Sequence, residues 1–339
     1  MHQILIDTAP VEGDAWRHAL VAGSLPKLSR ALRLAEPAAS ELVREDAEAA
    51  WLSPAERWMR ASLGIDGDSE QMPWGALAAL GAGLDLAELP WAVVLPVHLV
   101  LGRESLSLAD PTDLGLSALE CGALLDAVRP LLDEEGWRVD ARDPARWLVG
   151  HPCLESVVSA DPARAIGRNV ASWMPGGAAA RGWRRLLTEI QMVWQHHPVN
   201  EARMRSGRAE ANTLWLHGAG RLAAGVRSPF LAGPLPAAPT VWLAAAAAGL
   251  PKLPPTSHPH RLRVVQPVAT REAEPSALDA ALRALDDDAA RAIDEALREH
   301  DRAKVVLAGE RRWMAFELRR TRAWQFWRRA DAHVLLGMV

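Results

Sequence analysis

The densest run of chemistry-bearing residues is His196-His197-Pro198-Val199-Asn200, followed by Arg203, Gly207, Ala211-Asn212, Trp215 and Gly218-Ala219-Gly220. Two histidines, two asparagines and an arginine are costly to bury for packing alone. The glycines would let backbone amides approach an anion, and Arg203 can grip a phosphate or carboxylate in a fork. The same residues equally make a helix C-cap, a hydrogen-bonded corner and a tight turn. The Gly-x-Gly lacks the third glycine of a dinucleotide fingerprint.

Two further positions invite chemistry. Ile4-Leu5-Ile6-Asp7 is an apolar run ending in an acid, the form of a buried parallel strand with a carboxylate at its C-terminal edge. Ligands bind at that edge in open α/β sheets, although Asp7 could equally cap a helix or pair with an arginine. Ser53 precedes Pro54 and stands three residues before Glu56, which is a capping-box pattern at the start of a helix over 53–63. Its hydroxyl is therefore either an N-cap or, if something activates it, a nucleophile.

Around these positions the periodicities place helices over 24–34 (with Ser24 as N-cap), 76–80, 116–132, 182–196 and 276–300. Strands are expected as a pair around Pro96 within 91–101, an antiparallel pair at 137–140 and 146–149, and single strands at 213–216 and 304–307. Residues 240–248 fit strand or helix, residues 251–260 form a proline-rich loop, and the arginine- and tryptophan-rich end reads as a terminal helix. The order is β-α units, a middle α+β block, then more β-α units. It predicts an α/β protein in which residues 1–90 and 201–339 form one discontinuous domain around an inserted domain at 91–200.

Composition narrows the function classes. The 339 residues carry a net charge of -4, which gives no overall footprint for nucleic acid or an anionic membrane. Cys121 and Cys153 make no disulfide framework and no metal knuckle. The longest apolar run, 241–250, is about half of what a bilayer requires, and the first residues have no signal-peptide pattern, so a cytoplasmic protein is expected. Fifteen Trp accompany no Tyr, which removes tyrosine as a general acid or nucleophile. The basic tail at 311–329 can stack on bases or hold an acidic partner, or pack its Trp313, Trp324 and Trp327 on the domain with the arginines in water. Asp286-Asp287-Asp288 reads as a solvated helix start.

The ordered series Asp161-Pro162 to Gly167, Met174-Pro175-Gly176, and His-Pro-Val-Asn-x-x-Arg-x-x-x-Gly-x-x-x-Ala-Asn-x-x-Trp-x-x-Gly-x-Gly from His197 resembles the archaeal-type cofactor-independent phosphoglycerate mutases. Leu25-Pro26-Lys27-Leu28-Ser29-Arg30, Leu52-Ser53-Pro54-Ala55 and Ala79-Leu80-Gly81-Ala82-Gly83 extend the resemblance over about residues 1 to 250. Within that family the chain is most similar to the shorter bacterial regulatory proteins of the RpfE type. The resemblance implies an alkaline-phosphatase-like α/β/α sandwich with a smaller α+β lid inserted in it. It also implies Asp7 as a metal-ligand position, Ser53 as the nucleophile position, and His197, Asn200, Arg203, Asn212, Trp215, Gly218 and Gly220 as ligand-binding residues.

Active relatives hold two divalent ions, manganese or zinc, beside a phosphorylated serine. Here Pro54 follows the serine, Trp74 and Ala78 replace an arginine and a glutamate of the glycine-rich stretch, and the arginine that opens the lid segment has become apolar around Leu95-Pro96. The Asp-x-x-x-His and Asp-His ligands are not recognisable; Asp331-x-His333 and His258-x-His260 stand nearest, without the spacing. The expectation is a degenerate, non-catalytic phosphomutase-like protein without cofactor. It would bind a phosphorylated metabolite or a regulatory protein partner, with no membrane or nucleic acid involved. The alternative is an active, metal-dependent mutase or phosphatase using manganese or zinc.

Overall fold

The computed structural model describes residues 2–7, 25–33, 35–42, 51–65, 71–86, 89–103, 105–166, 168–175, 180–222, 230–231, 260–265, 275–309 and 311–320. Two compact units are present: residues 1–66 with 225–339, and residues 67–224.

In the first unit, β1 (His2–Asp7) runs parallel to both β10 (His260–Val265) and β11 (Arg302–Ala308). The six-stranded sheet has the order β2-β12-β11-β1-β10-β9, where β2 is Glu36–Leu42, β9 is Phe230–Leu231 and β12 is Arg312–Arg319. Flanked on both sides, Ile4, Leu5 and Ile6 are buried, as an uninterrupted apolar run requires. Helices α1 (Pro26–Leu32) and α7 (Pro275–Glu299) share a core with this sheet. Leu28 and Leu32 meet Leu282, Leu285 and Ile293 there, together with Val305 and Phe316. Between them, α2 (Pro54–Leu63) follows Ser53 and ends on Gly64 in the left-handed conformation at φ 63°.

In the second unit, β3 (Trp91–Val97) lies between β7 (Trp147–Gly150) and β8 (Thr213–Gly220), with β6 (Arg138–Asp140) beyond β7. All neighbours in this four-stranded sheet are antiparallel. Helices α4 (Ala118–Glu134) and α5 (Ala180–Gln195) bury Leu124, Val128, Trp183, Ile190 and Trp194 with Val94, Trp147, Leu214 and Leu216 from the sheet. Trp147 meets Trp194 edge to face, with ring centroids 6.2 Å apart. Helix α3 (Trp74–Gly81) also packs on the sheet, so closely that a Cβ on Gly75 would stand 2.3 Å from the Ala92 Cα. Hence every residue of β3 is buried. β4 (Leu99–Leu101) and β5 (Leu106–Leu108) form a separate antiparallel pair, and α6 (Pro198–Arg205) follows α5.

The α/β class and the antiparallel pair at β6 and β7 match the expectation from sequence. Several local expectations do not hold. Residues 91–97 form one strand through Pro96 rather than a pair around it. Pro96 is tolerated because β7 pairs only as far as Val94, leaving β8 as the sole neighbour there. The first helix starts at Pro26 with Leu25 in the cap position, and Ser24 lies outside the described residues. Arg312–Arg319 is a strand, not a terminal helix: Ala315, Phe316 and Leu318 pack inside the sheet, and Trp313 Nε1 donates to Glu41 Oε2 at 2.9 Å. Trp324, Trp327, Asp331, His333, His258 and residues 240–248 lie outside the described residues.

Candidate functional site

The motif that starts at His197 lies wholly in the second unit, and its residues divide between the two ends of β8. At the first end, Pro198 opens α6 and His197 caps it, its Nδ1 accepting from the Val199 amide at 3.2 Å. Burial lowers the His197 pKa, so the ring favours its neutral form, as an acceptor in this cap must.

Asn200 is 0% exposed and closes a corner. Its Nδ2 donates to the Trp194 carbonyl at 2.9 Å and to the Ala211 carbonyl at 2.8 Å, while Oδ1 accepts from the Ala211 amide at 3.0 Å. Twelve residues on, Asn212 does the same for another segment: Oδ1 accepts from the Leu99 amide at 2.8 Å and Nδ2 donates to the Leu99 carbonyl at 2.9 Å. Each carboxamide imitates a neighbouring strand, satisfying backbone groups that have no ladder.

Arg203 is 1% exposed. Nε donates to the Ala209 carbonyl at 2.7 Å, Nη1 to Glu120 Oε1 at 3.0 Å, and Nη2 to the Leu114 carbonyl. Glu120 also receives Arg208 at 3.1 Å and belongs to a capping box at the start of α4, where Ser117 is the N-cap. Burial alone would raise the Glu120 pKa, but the hydrogen bonds from Ser117 and Arg203 outweigh it and hold the carboxyl at about 2. A buried guanidinium is thus neutralised and its fork is spent on the protein's own backbone.

Trp215 is buried, and its Nε1 donates to the Ala160 carbonyl at 2.9 Å. Two residues along the same strand face, His217 brings Nδ1 to 3.7 Å from Asp161 Oδ2. Asp161 caps the one-turn helix Pro162–Ala165, and burial raises its pKa.

At the far end of β8 the glycines serve packing. They lie inside the strand rather than in a turn after it. Gly218 has φ 62° where the β3–β8 register shifts, and a Cβ there would meet the Trp74 Cβ at 2.6 Å. A Cβ on Gly220 would meet the Pro73 Cβ at 3.2 Å. No side chain fits at Gly218, on grounds of both backbone conformation and space.

Asp7 and Ser53 belong to the other unit. Asp7 is buried at the C-terminal end of β1, level with Ala308 of β11. Ser53 Oγ accepts from the Glu56 amide at 3.2 Å, and Glu56 Oε2 accepts from the Ser53 amide at 2.7 Å, which completes the capping box. Among the described residues no three His, Cys, Asp or Glu side chains stand together as a metal site.

The bonds of the motif residues run to groups that sequence reasoning missed: Arg203 to Glu120 and the Leu114 carbonyl, and Trp215 to the Ala160 carbonyl. The signal for Glu120 was present as Ser117-x-x-Glu120 ahead of an apolar helix. Its bond to Arg203 spans 83 residues and leaves no local trace. A second omission is Asp286, which is not part of a helix start. It sits within α7, is buried, and accepts from the Lys27 and Leu28 amides at 3.0 and 2.7 Å, capping α1 from another helix.

No family model matches the chain. Over 148 residues it is 27% identical to a protein of Geobacter sulfurreducens named probable 2,3-bisphosphoglycerate-independent phosphoglycerate mutase. That stretch is 42% of this chain and 36% of the relative, so little more than a third of the relative's length is matched. Among solved structures, the chain is similar to the cofactor-independent phosphoglycerate mutase from Thermoplasma acidophilum, with TM-score 0.41 and 18% identity over 94% of this chain and 90% of that one. It is also similar to the PH0037 protein from Pyrococcus horikoshii, with TM-score 0.47 and 14% identity over 94% and 87%. Both scores fall below the level at which a common fold follows. The sequence match is a resemblance to a phosphoglycerate mutase over part of both chains. No helix among the described residues is long and apolar enough to cross a membrane.

Proposed function

We propose that this chain is a phosphoglycerate-mutase-like protein of the alkaline-phosphatase-like type that acts by binding a partner rather than by turnover. The observation that carries the reading is the use made of the motif side chains. Arg203, Asn200 and Asn212 spend their polar groups on the protein's own backbone. Ser53 spends its hydroxyl on a helix cap. Of the two binding roles expected from sequence, this favours a regulatory protein partner over a phosphorylated metabolite, because the buried arginine is already neutralised by Glu120. The proposed setting is the cytoplasm, and the proposed kinship is with the shorter RpfE-type regulatory proteins.

A two-metal centre requires several oxygen or nitrogen ligands around each ion. Among the described residues Asp7 is the acid at such a position, and one carboxylate does not fit a pair of divalent ions. Calorimetry with 3-phosphoglycerate, and separately with manganese, tests the reading. Neither should bind stoichiometrically; uptake of two manganese ions per chain would refute it. The second reading, an active mutase or phosphatase with rearranged ligands, draws on the burial of Asp7 at the carboxyl edge of a parallel strand.

A further inference from the structure

One end of the unit spanning residues 67–224 gathers the finish of β3, the start of β8, the first turn of α4, the last turn of α5 and α6. Side chains tie these parts together: Asn212 to Leu99, Gln191 to Thr213, Trp194 to the Leu124 carbonyl, and Arg203 and Arg208 to Glu120. Six exposed large apolar residues stand on this end: Val100, Leu101 at 84%, Leu119 at 87%, Met192, Val193 and Met204. Among the described residues of the other unit, Leu42 alone is comparable. Single exposed apolar residues need no explanation, but six at one end do.

Among the described residues, the same end carries a strand edge that is open at Leu101. In the β4–β5 hairpin, the His98 carbonyl accepts from Ala109 at 3.0 Å, the Gly102 amide donates to Ser105 at 2.8 Å, and Val100 is level with Ser107. By alternation, Leu99 and Leu101 turn their amides and carbonyls to the opposite edge. There the Asn212 carboxamide stands in for a strand at Leu99, and Leu101 is next along. β5, by contrast, has its outer side covered by the bridges Ser107 to Asn169 and Leu108 to Ile166.

We infer that this end is a self-association surface, on which the β4 strands of two copies meet antiparallel at Leu101, past the Asn212 carboxamide, and bury Leu101 and Leu119 beside the contact. An open edge needs an extended segment as its partner, and a second β4 brings an identical open edge. Charge favours the same occupant. The exposed rim carries Arg103, Arg205 and Arg208 together with Asp113 and Glu201, and half-buried Glu210 adds a third acid. That balance lets a two-fold axis set sign against sign, whereas a strongly charged partner would call for a rim of one sign. The inference does not rest on whether the chain turns over a substrate.

Sedimentation velocity on the full chain, diluted through the micromolar range, reads the stoichiometry. A dimer is expected, with Leu101→Arg raising its dissociation constant at least tenfold and Leu119→Glu several-fold. Melting followed by circular dichroism at concentrations where the chain is monomeric should be unchanged in both, since both side chains are exposed there. Spin labels at Leu101→Cys should couple between copies, and labels at Leu42→Cys should not. Burial pushes the Cys121 and Cys153 thiols to about 11, which keeps them poor targets for the labelling reagent. A chain that stays monomeric throughout overturns the inference. A dimer that both substitutions leave intact, or coupling no stronger at 101 than at 42, overturns it equally.

Discussion

The two units treat the residues of the mutase-like motifs in different ways. In the unit of residues 67–224, buried polar groups are paired over long sequence distances: Arg203 with Glu120 and the Leu114 carbonyl, Trp215 with the Ala160 carbonyl. In the other unit, Ser53 makes a local bond three residues away, and Asp7 marks a strand end. A buried charge whose donors are spent holds architecture, and its loss is read in stability. A helix-cap serine contributes little to stability, so its loss separates structure from catalysis.

The largest expected effect is at Arg203. Arg203→Ala removes one partner of a buried pair and leaves the Leu114 and Ala209 carbonyls without a donor, which should cost about 3–5 kcal/mol in chemical denaturation. Arg203→Lys should recover little, because an ammonium cannot reproduce the fork. If Arg203 instead served a ligand, the substitution would leave stability nearly unchanged while abolishing stabilisation by inorganic phosphate.

Acid titration probes the same network from the other partner. Glu120 is held at about 2 against an ordinary value of 4.5, so its folded pKa is depressed. That contribution is complete above pH 4.5 and is lost as pH falls from there towards 2. It amounts to about 2–3 kcal/mol, and Glu120→Gln should flatten this part of the stability profile. Next in size is Asp286→Ala. It strips the cap from α1 and should destabilise the first unit by about 1–2 kcal/mol, leaving the second unit's hydrogen-exchange protection unchanged.

What the sequence made legible follows how local each signal is. The Ser53-Pro54-x-Glu56 start of α2 and the β6–β7 pair are written in neighbouring residues, and the structure carries them as expected. Asp7 at a parallel strand edge was legible from the apolar run before it. The Arg203–Glu120 pair and the Asp286 cap were not, because each joins positions far apart in the chain. Strand β2 was missed as well. It lies at a sheet edge with every residue exposed, so Glu36-Pro37-Ala38-Ala39 shows no alternation to read. At β12 the arginines and tryptophans suggested a helix, whereas Ala315, Phe316 and Leu318 are buried in a strand whose register with β2 shifts between Ala315 and Phe316.

The smallest structural effect carries the most weight. Ser53→Ala removes a cap hydrogen bond and should cost about 1 kcal/mol. The decisive measurement is 3-phosphoglycerate turnover by the wild-type chain and by Ser53→Ala, each with added manganese or zinc. The account predicts no metal-dependent turnover above the protein-free rate in either. Turnover by the wild-type chain that Ser53→Ala abolishes would contradict it.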